Sequence, residues 1–150
     1  HVLTNKDGSV SLIAEQYKLI ERNTTFGFET VEFFGNILYI RMNAEGKIIG
    51  QNVLAKSQYN YHTKSSFIFK DEGSEMSFIY FDNRVEKKED RILVENRLKP
   101  DGSSTLKDLF VPKKKPYFSF EISPEFSEKL NNKLRIIFVY IDGKMSLFKY

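Results

Sequence analysis

Residues 78–84 read FIYFDNR, and the same pattern returns 60 positions later as FVYIDGK at residues 138–144. An earlier stretch, LIAEQ at residues 12–16, matches the start of this pattern at an offset of 66. Self-similarity at a fixed period of this length is typical of repeat architectures. The three segments therefore predict one structural unit that occurs three times.

The residues around these segments repeat in the same order. RMNAEG at residues 41–46 aligns with RLKPDG at 97–102, and NVLA at 52–55 aligns with DLFV at 108–111, both at an offset of 56. Runs rich in Ile, Val, Phe and Tyr between turn residues indicate four strands in each unit. The predicted strands are 2–5, 11–20, 37–43 and 48–56 in the first unit, 67–70, 76–81, 92–98 and 105–111 in the second, and 117–122 and 134–141 in the third.

Turn residues support these breaks. Gly46 and Gly102 stand where a tight hairpin needs a positive φ, and Pro100 presets the backbone for the second of these turns. The pair at residues 142–143, Asp-Gly, is the strongest short hairpin signal in the chain. Residues 123–130 begin with a serine suited to a helix cap and a proline suited to a first helical position, which predicts a short helical turn.

Four antiparallel strands in a unit of about fifty to sixty residues are typical of a propeller blade. We therefore predict an all-β, β-propeller-like domain of antiparallel four-stranded units at residues 1–57, 65–112 and 117–150, the last of them incomplete. About two and a half blades are too few for a closed ring, which has about four or more. The expected assembly is partial or open, and its unpaired repeat faces would allow self-association.

Composition narrows the function classes. The chain is 41% hydrophobic and 15% aromatic, which favours a folded domain over disorder. Its 23 basic and 20 acidic residues nearly cancel, which argues against a nucleic-acid partner. The absence of cysteine excludes disulfides, thiol catalysis and cysteine-ligated metals. The longest apolar run, residues 136–141, is far shorter than the roughly 18 residues of a membrane-spanning helix.

Three stretches carry a family resemblance: DGSVSLIAEQY at residues 7–17, NILYI with NAEGKI at 36–48, and KPYFSF at 115–120 with the strands after it. They resemble uncharacterised propeller-like proteins exported by Bacteroidetes-type bacteria, which carry a similar strand followed by a similar hairpin. The resemblance implies a propeller-like fold and an extracytoplasmic location, in the periplasm or at the cell surface. It implies no activity and no catalytic residues. Because the chain starts at His1 rather than Met, we expect any targeting segment to lie upstream.

The insertion at residues 18–35 is the first candidate binding site, because it carries Phe26, Phe28, Phe33 and Phe34. Loops on a rigid scaffold often carry binding residues, and exposed phenylalanines could form a contact patch. The alternative is a hairpin extension whose rings cover the domain's own flank.

The second candidate is Tyr59 with Tyr61, in the connection between the first two units. Aromatic rings with polar edges can stack on sugars, so these residues could form a glycan platform. The alternative is a linker that packs its tyrosines inward.

Catalytic and metal signals are weak. Glu15 shares a strand face with Ile13 and Tyr17, so burial there could perturb its pKa, although a strand-end glutamate can also simply be hydrogen-bonded or exposed. A carboxylate hydrolase would need Glu15 and Asp82 to converge in a cleft. The two histidines, His1 and His62, are too few for a zinc or iron site, and we predict no metal and no cofactor.

The leading hypothesis is a non-catalytic β-repeat scaffold that presents loops to another protein, at a bacterial cell envelope. One alternative is a carbohydrate-binding module that uses exposed aromatic residues. The other is a hydrolase with a carboxylate site.

Overall fold

The computed structural model describes residues 1–60, 67–72, 75–84, 89–111, 120–131, 134–141 and 144–149. This described part contains twelve β-strands and no helix. In chain order the strands are β1 (Val2–Thr4), β2 (Val10–Thr24), β3 (Gly27–Met42), β4 (Ile48–Leu54), β5 (Gln58–Asn60), β6 (Phe67–Asp71), β7 (Met76–Arg84), β8 (Glu89–Leu98), β9 (Ser104–Phe110), β10 (Phe120–Asn131), β11 (Leu134–Ile141) and β12 (Lys144–Lys149).

The strands form three open antiparallel sheets. The first sheet has the order β1-β2-β3-β4, with β5 added along β3. The second sheet has the order β6-β7-β8-β9, and the third has the order β10-β11-β12. Neighbours in each main path are also neighbours in sequence, as the repeat predicted. The all-β class and the antiparallel four-stranded unit are therefore confirmed.

Equivalent positions of the first two units make equivalent contacts. Ser11 and Tyr39 share a hydrogen bond between their hydroxyl groups, with the oxygens 3.3 Å apart. The residues that match them in the repeat are Ser77 and Glu95, and the Ser77 hydroxyl donates to Glu95 Oε1 over 2.7 Å. The two pairs occupy the same repeat positions and make the same kind of cross-strand hydrogen bond, so the sequence repeat is also a structural repeat.

The predicted glycine turns have the expected geometry. Gly46 and Gly102 have φ angles of 80° and 87°. At the first of these turns the N–H of Asn43 donates to the Lys47 carbonyl and the N–H of Gly46 donates to the Asn43 carbonyl. This is the three-residue hairpin loop that ends on a left-handed residue, a position that favours glycine.

The third sheet has a third strand, β12, beyond the two predicted, and it differs from the prediction at residues 123–130. The expected helical turn at 123–130 is wrong, because β10 is a strand that pairs with β11. The pairing is interrupted between Ser123 and Glu128, so the proline at 124 lies where the ladder has no regular partner. Pairing with β11 overrides the local capping signal. The hairpin predicted at 142–143 is confirmed by the pairing of Ile141 with Lys144, although the loop itself lies outside the described residues.

The main hydrophobic core lies between the first and second sheets. The Tyr39 and Phe78 rings meet edge to face across it, with centroids 6.4 Å apart. The buried residues of this core are Ile13, Ile37, Tyr39 and Leu54 from the first sheet and Phe67, Met76, Phe78, Tyr80, Ile92, Val94 and Leu98 from the second. They alternate along each strand with residues of the opposite face, as a pleated strand requires.

The second sheet is buried on both faces. Ile79, Phe81 and Leu93 alternate with the core residues of their strands and are also buried. Strand β10 contacts β6 and β7, so the third sheet lies next to the second. The second sheet is thus the middle layer of the described structure.

Candidate functional site

The insertion at residues 18–35 is part of a long hairpin. Strands β2 and β3 stay paired from Tyr17↔Phe34 to Thr24↔Gly27, and we call residues 17–34 the hairpin arm. The insertion is therefore a paired hairpin extension and not an irregular loop.

A β-bulge separates the hairpin arm from the rest of the first sheet. The pairing slips between Glu15↔Ile37 and Tyr17↔Phe34, which leaves residues 35–36 opposite the single residue Gln16. A Cβ at position 35 would come within 3 Å of the side chains of Gln16 and Phe33, which would have to move to accept it. Such a bulge bends the strand that carries it, here β3 at the base of the arm.

The four phenylalanines of the insertion have different environments. Phe26 and Phe28, at the tip, are 101% and 83% exposed. Phe33 is half-buried with Lys18 Nζ 4.7 Å from its ring centre, and Phe34 is buried against Tyr17, with ring centroids 5.2 Å apart. Two rings therefore stabilise the base of the arm and two face solvent.

The tip is an ordered turn. Thr24 Oγ1 donates to the Gly27 carbonyl over 2.8 Å and accepts from the N–H of Phe26 over 3.3 Å. Gly27 has a φ of 125°, which few other residues adopt. The two exposed rings are thus held at a defined turn.

One face of the arm's ladder carries three exposed apolar or aromatic side chains, with the Glu21–Thr30 pair between Leu19 and Phe28. Tyr17, Leu19 and Phe28 lie on the same face of the two-stranded ladder, and all three are exposed. The Tyr17 hydroxyl donates to Glu32 Oε1 over 3.0 Å, and this hydrogen bond raises the pKa of Tyr17. The hydrogen bond orients the Tyr17 ring along the arm.

Tyr59 lies in β5, which pairs with β3 at the register Phe33↔Tyr59. The connection between the first two units therefore begins as a fifth strand of the first sheet. Tyr61 and His62 lie outside the described residues. The glycan-platform hypothesis stays a prediction.

A buried ion pair joins β2 to the linker after β4. Lys56 Nζ lies 2.6 Å from Glu15 Oε1, with the lysine side chain fully buried and the glutamate side chain 14% exposed. Burial lowers the pKa of Lys56, while the negative charges of Glu15 and Asp82 oppose that lowering. The Phe34 ring centre is 5.5 Å from the same ammonium group.

Lys56 thus contacts one of the two carboxylates considered for a hydrolase, Glu15, and the charge of the other, Asp82, also acts on it. Asp82 also accepts a hydrogen bond from the N–H of Ser57, at 3.2 Å, and Asn36 accepts from the N–H of Lys56, at 3.3 Å. The arrangement neutralises charge and anchors the chain between the two sheets. No sequence signal marked Lys56, because a single lysine after a strand is ordinary.

A polar cleft of about 290 Å³ opens at the turn end of the first two sheets. Arg41 Nη2 lies 2.6 Å from Asp7 Oδ2, and Arg41 Nε donates to Ser9 Oγ over 3.0 Å. The Ser9 hydroxyl donates to Asp7 Oδ1 over 2.6 Å. The hydrogen bonds from Ser9, reinforced by Arg41, hold the pKa of Asp7 below its ordinary value.

The polar groups of the cleft floor bond to one another. Asn5 Nδ2 donates to the hydroxyl oxygens of Ser9 and Ser11, and Ser11 shares its hydrogen bond with Tyr39. This network fixes the turn between β1 and β2. The hydrogen bonds within the turn account for the polar residues found here.

The described residues contain no group of three or more His, Cys, Asp or Glu placed to hold a metal ion. They also contain no helix with the length and hydropathy to cross a membrane.

Comparison of the chain with protein families, with curated proteins and with solved structures finds no match. The case for a function therefore depends on the geometry of the chain's own residues.

Proposed function

We propose that this chain is a non-catalytic β-repeat scaffold that binds another protein through its hairpin arm. The observation that carries the proposal is the pair of exposed rings, Phe26 and Phe28, on an ordered turn at the end of the arm. Large apolar side chains grouped in solvent mark interaction surfaces, and aromatic residues are frequent anchors in protein interfaces.

The neighbouring surface suits an apolar groove on a partner. Leu19 and Tyr17 are exposed on the same face nearer the base of the arm, separated from Phe28 by Glu21 and Thr30. The strand pairing and the tip turn hold the arm in one conformation, so binding would cost little conformational entropy. A protein partner with an apolar groove fits this surface better than a sugar, since the Phe26 and Phe28 rings carry no polar edge.

The internal polar groups support a binding role over catalysis. Glu15 and Asp82 surround Lys56, and the Asp7 network is bonded within itself. Both clusters join parts of the fold to each other. The hydrolase alternative stays a prediction.

A matched pull-down tests the role of the arm. The full chain, a Phe26→Ser/Phe28→Ser double variant and a Leu106→Ser control are immobilised and exposed to native envelope extract, with recovered proteins quantified by mass spectrometry. Leu106 is a half-exposed leucine on β9, outside the arm. We expect a partner whose recovery falls at least about tenfold with the double variant, since aromatic hot spots contribute 2 kcal/mol or more.

The control should recover the partner as well as the unchanged chain does. Equal recovery by all three proteins would refute a role for the arm. Circular dichroism of each protein separates lost binding from lost folding.

The proposal also covers architecture and location. Three successive antiparallel sheets, each a meander, support a propeller-like succession of blades that is partial or open. An experimental structure in which the sheets lie as flat parallel layers, rather than splayed about an axis, would contradict it.

The resemblance at residues 7–17 supports a place outside the cytoplasm, at a bacterial cell envelope. Immunoblots of fractionated source cells test this location. Recovery of the chain with cytoplasmic proteins would contradict it.

A further inference from the structure

The first sheet has an apolar face that points away from the second sheet, and we call it the outer face. The pairing registers place its residues in three cross-strand rows. The rows are Val2, Leu12, Ile40 and Gln51, then Thr4, Val10, Met42 and Ile48, then Ala14, Leu38 and Val53. The alternate residues of the same strands, such as Ile13, Tyr39 and Leu54, form the core with the second sheet.

The outer face is exposed and uncharged. Val2, Leu38, Ile48 and Val53 are between 41% and 69% exposed. None of the eleven residues in the three rows, all of them within the described part of the chain, is a lysine, arginine, aspartate or glutamate. Contiguous apolar surface of this kind is uncommon on monomers and marks interaction sites.

In the second unit the equivalent of this face is buried. Leu12 corresponds to Phe78 and Leu38 corresponds to Val94, at the offsets of 66 and 56. Phe78 and Val94 are both 0% exposed, because the first sheet packs on that face of the second. The outer face is thus the equivalent of an established sheet-to-sheet interface, without its covering sheet.

We infer that a second copy of this chain covers the outer face, with the two copies packed outer face to outer face. A face without charges meets its own copy with no like-charge repulsion and no buried unpaired ion. The same patch on both subunits forms a two-fold interface, the commonest arrangement in homo-oligomers, and stacked sheets pack about 10 Å apart. This inference is independent of the hairpin arm, and such a dimer would carry two arms.

Analytical ultracentrifugation of the full chain over a wide concentration range tests the inference. The expected species is a dimer, with twice the mass of 17.6 kDa. A Leu38→Glu variant places a carboxylate in the interface of each copy, so its dissociation constant should rise at least about 100-fold. The Leu106→Glu control, on a strand of the second sheet, should dimerise like the unchanged chain.

Cross-linking gives a second readout that does not depend on the charged variant. The chain has no cysteine, so Ile40→Cys in the central row supplies a single thiol. A short bismaleimide should link two copies of Ile40→Cys and should not link copies of Leu106→Cys. If Leu38→Glu fails to fold by circular dichroism, Val53→Glu replaces it and the cross-linking yield decides.

Three results would overturn the inference. A monomer at all concentrations would mean that something other than a second copy covers the face. Growth beyond a dimer would indicate head-to-tail association instead. A Leu38→Glu variant that is folded and dimerises with unchanged affinity would place the dimer interface elsewhere.

Discussion

Removal of the buried cation at position 56 should strongly destabilise the chain. Lys56→Met leaves Glu15, only 14% exposed, without its ammonium partner, and also removes the positive charge near Asp82. Breaking a buried ion pair from one side costs about 3–5 kcal/mol, because the remaining charge is uncompensated. For a domain of this size each kcal/mol lowers Tm by about 2–4 °C.

The pair as a whole should contribute little. Glu15→Leu alone leaves Lys56 buried with its charge and should cost about 3 kcal/mol or more by the same reasoning. The double variant Lys56→Met/Glu15→Leu removes both charges, and its unfolding free energy should lie within about 2 kcal/mol of the unchanged chain. The coupling energy between the two sites is then about 3 kcal/mol or more, well above that of an exposed pair.

Urea unfolding of the four proteins measures this cycle. The pH dependence gives a second test. Because folding lowers the pKa of Lys56 below 10.5, the unfolded chain binds more protons between the folded pKa and 10.5. Through that window the contribution of Lys56 to the unfolding free energy should rise with pH, and this rise should disappear in Lys56→Met. Single variants that unfold like the unchanged chain, or effects that simply add in the double variant, would refute the reasoning.

Three further outcomes follow from local geometry. Gly102→Ala should lower the unfolding free energy, measured in urea, by about 1–3 kcal/mol more than Gly46→Ala does. Both glycines have a positive φ, but only at position 102 would a Cβ strike the backbone of β4. Equal losses of unfolding free energy would contradict this. Asp7 should titrate below 3.8 by NMR, and Ser9→Ala should raise its pKa toward that value, since the Ser9 hydrogen bonds are the main cause of the lowering; an unchanged pKa would assign the effect elsewhere. Tyr80→Phe should lower the unfolding free energy by about 1 kcal/mol, because the Tyr80 hydroxyl donates over 3.2 Å to the Ala55 carbonyl in the linker after β4. An unchanged unfolding free energy would mean that water replaces this hydrogen bond.

The binding surface was only partly predictable. The sequence analysis named four phenylalanines in the insertion without separating them. Phe34 is buried because the bulge at residues 35–36 directs it toward Lys56, whereas Phe26 and Phe28 lie beyond the body of the sheet. Such a bulge depends on how two strands align, and a glycine in a strand is only an ambiguous signal of it.

Sequence by itself determined the unit of this fold. Strand alternation and the turn glycines at 46 and 102 involve residues close in the chain, so they can be recognised without coordinates. The recurrence of residues 78–84 is a similarity of sequence, which also needs no coordinates. Most strands of the first two units lie close to their predicted bounds, but β2 ends at Thr24 rather than residue 20 and β3 begins at Gly27 rather than residue 37.

Tertiary structure alone decided which groups meet. The Lys56–Glu15 pair joins residues 41 positions apart, and β5 joins the first sheet at a register that the sequence does not mark. Residues 123–130 likewise form a strand and not the helical turn that their local sequence predicted, because they pair with β11. The outer face has the same apolar pattern as the face buried in the second sheet, and only the placement of the first two sheets leaves it uncovered. Burial depends on which surfaces come together, and a local pattern does not specify that.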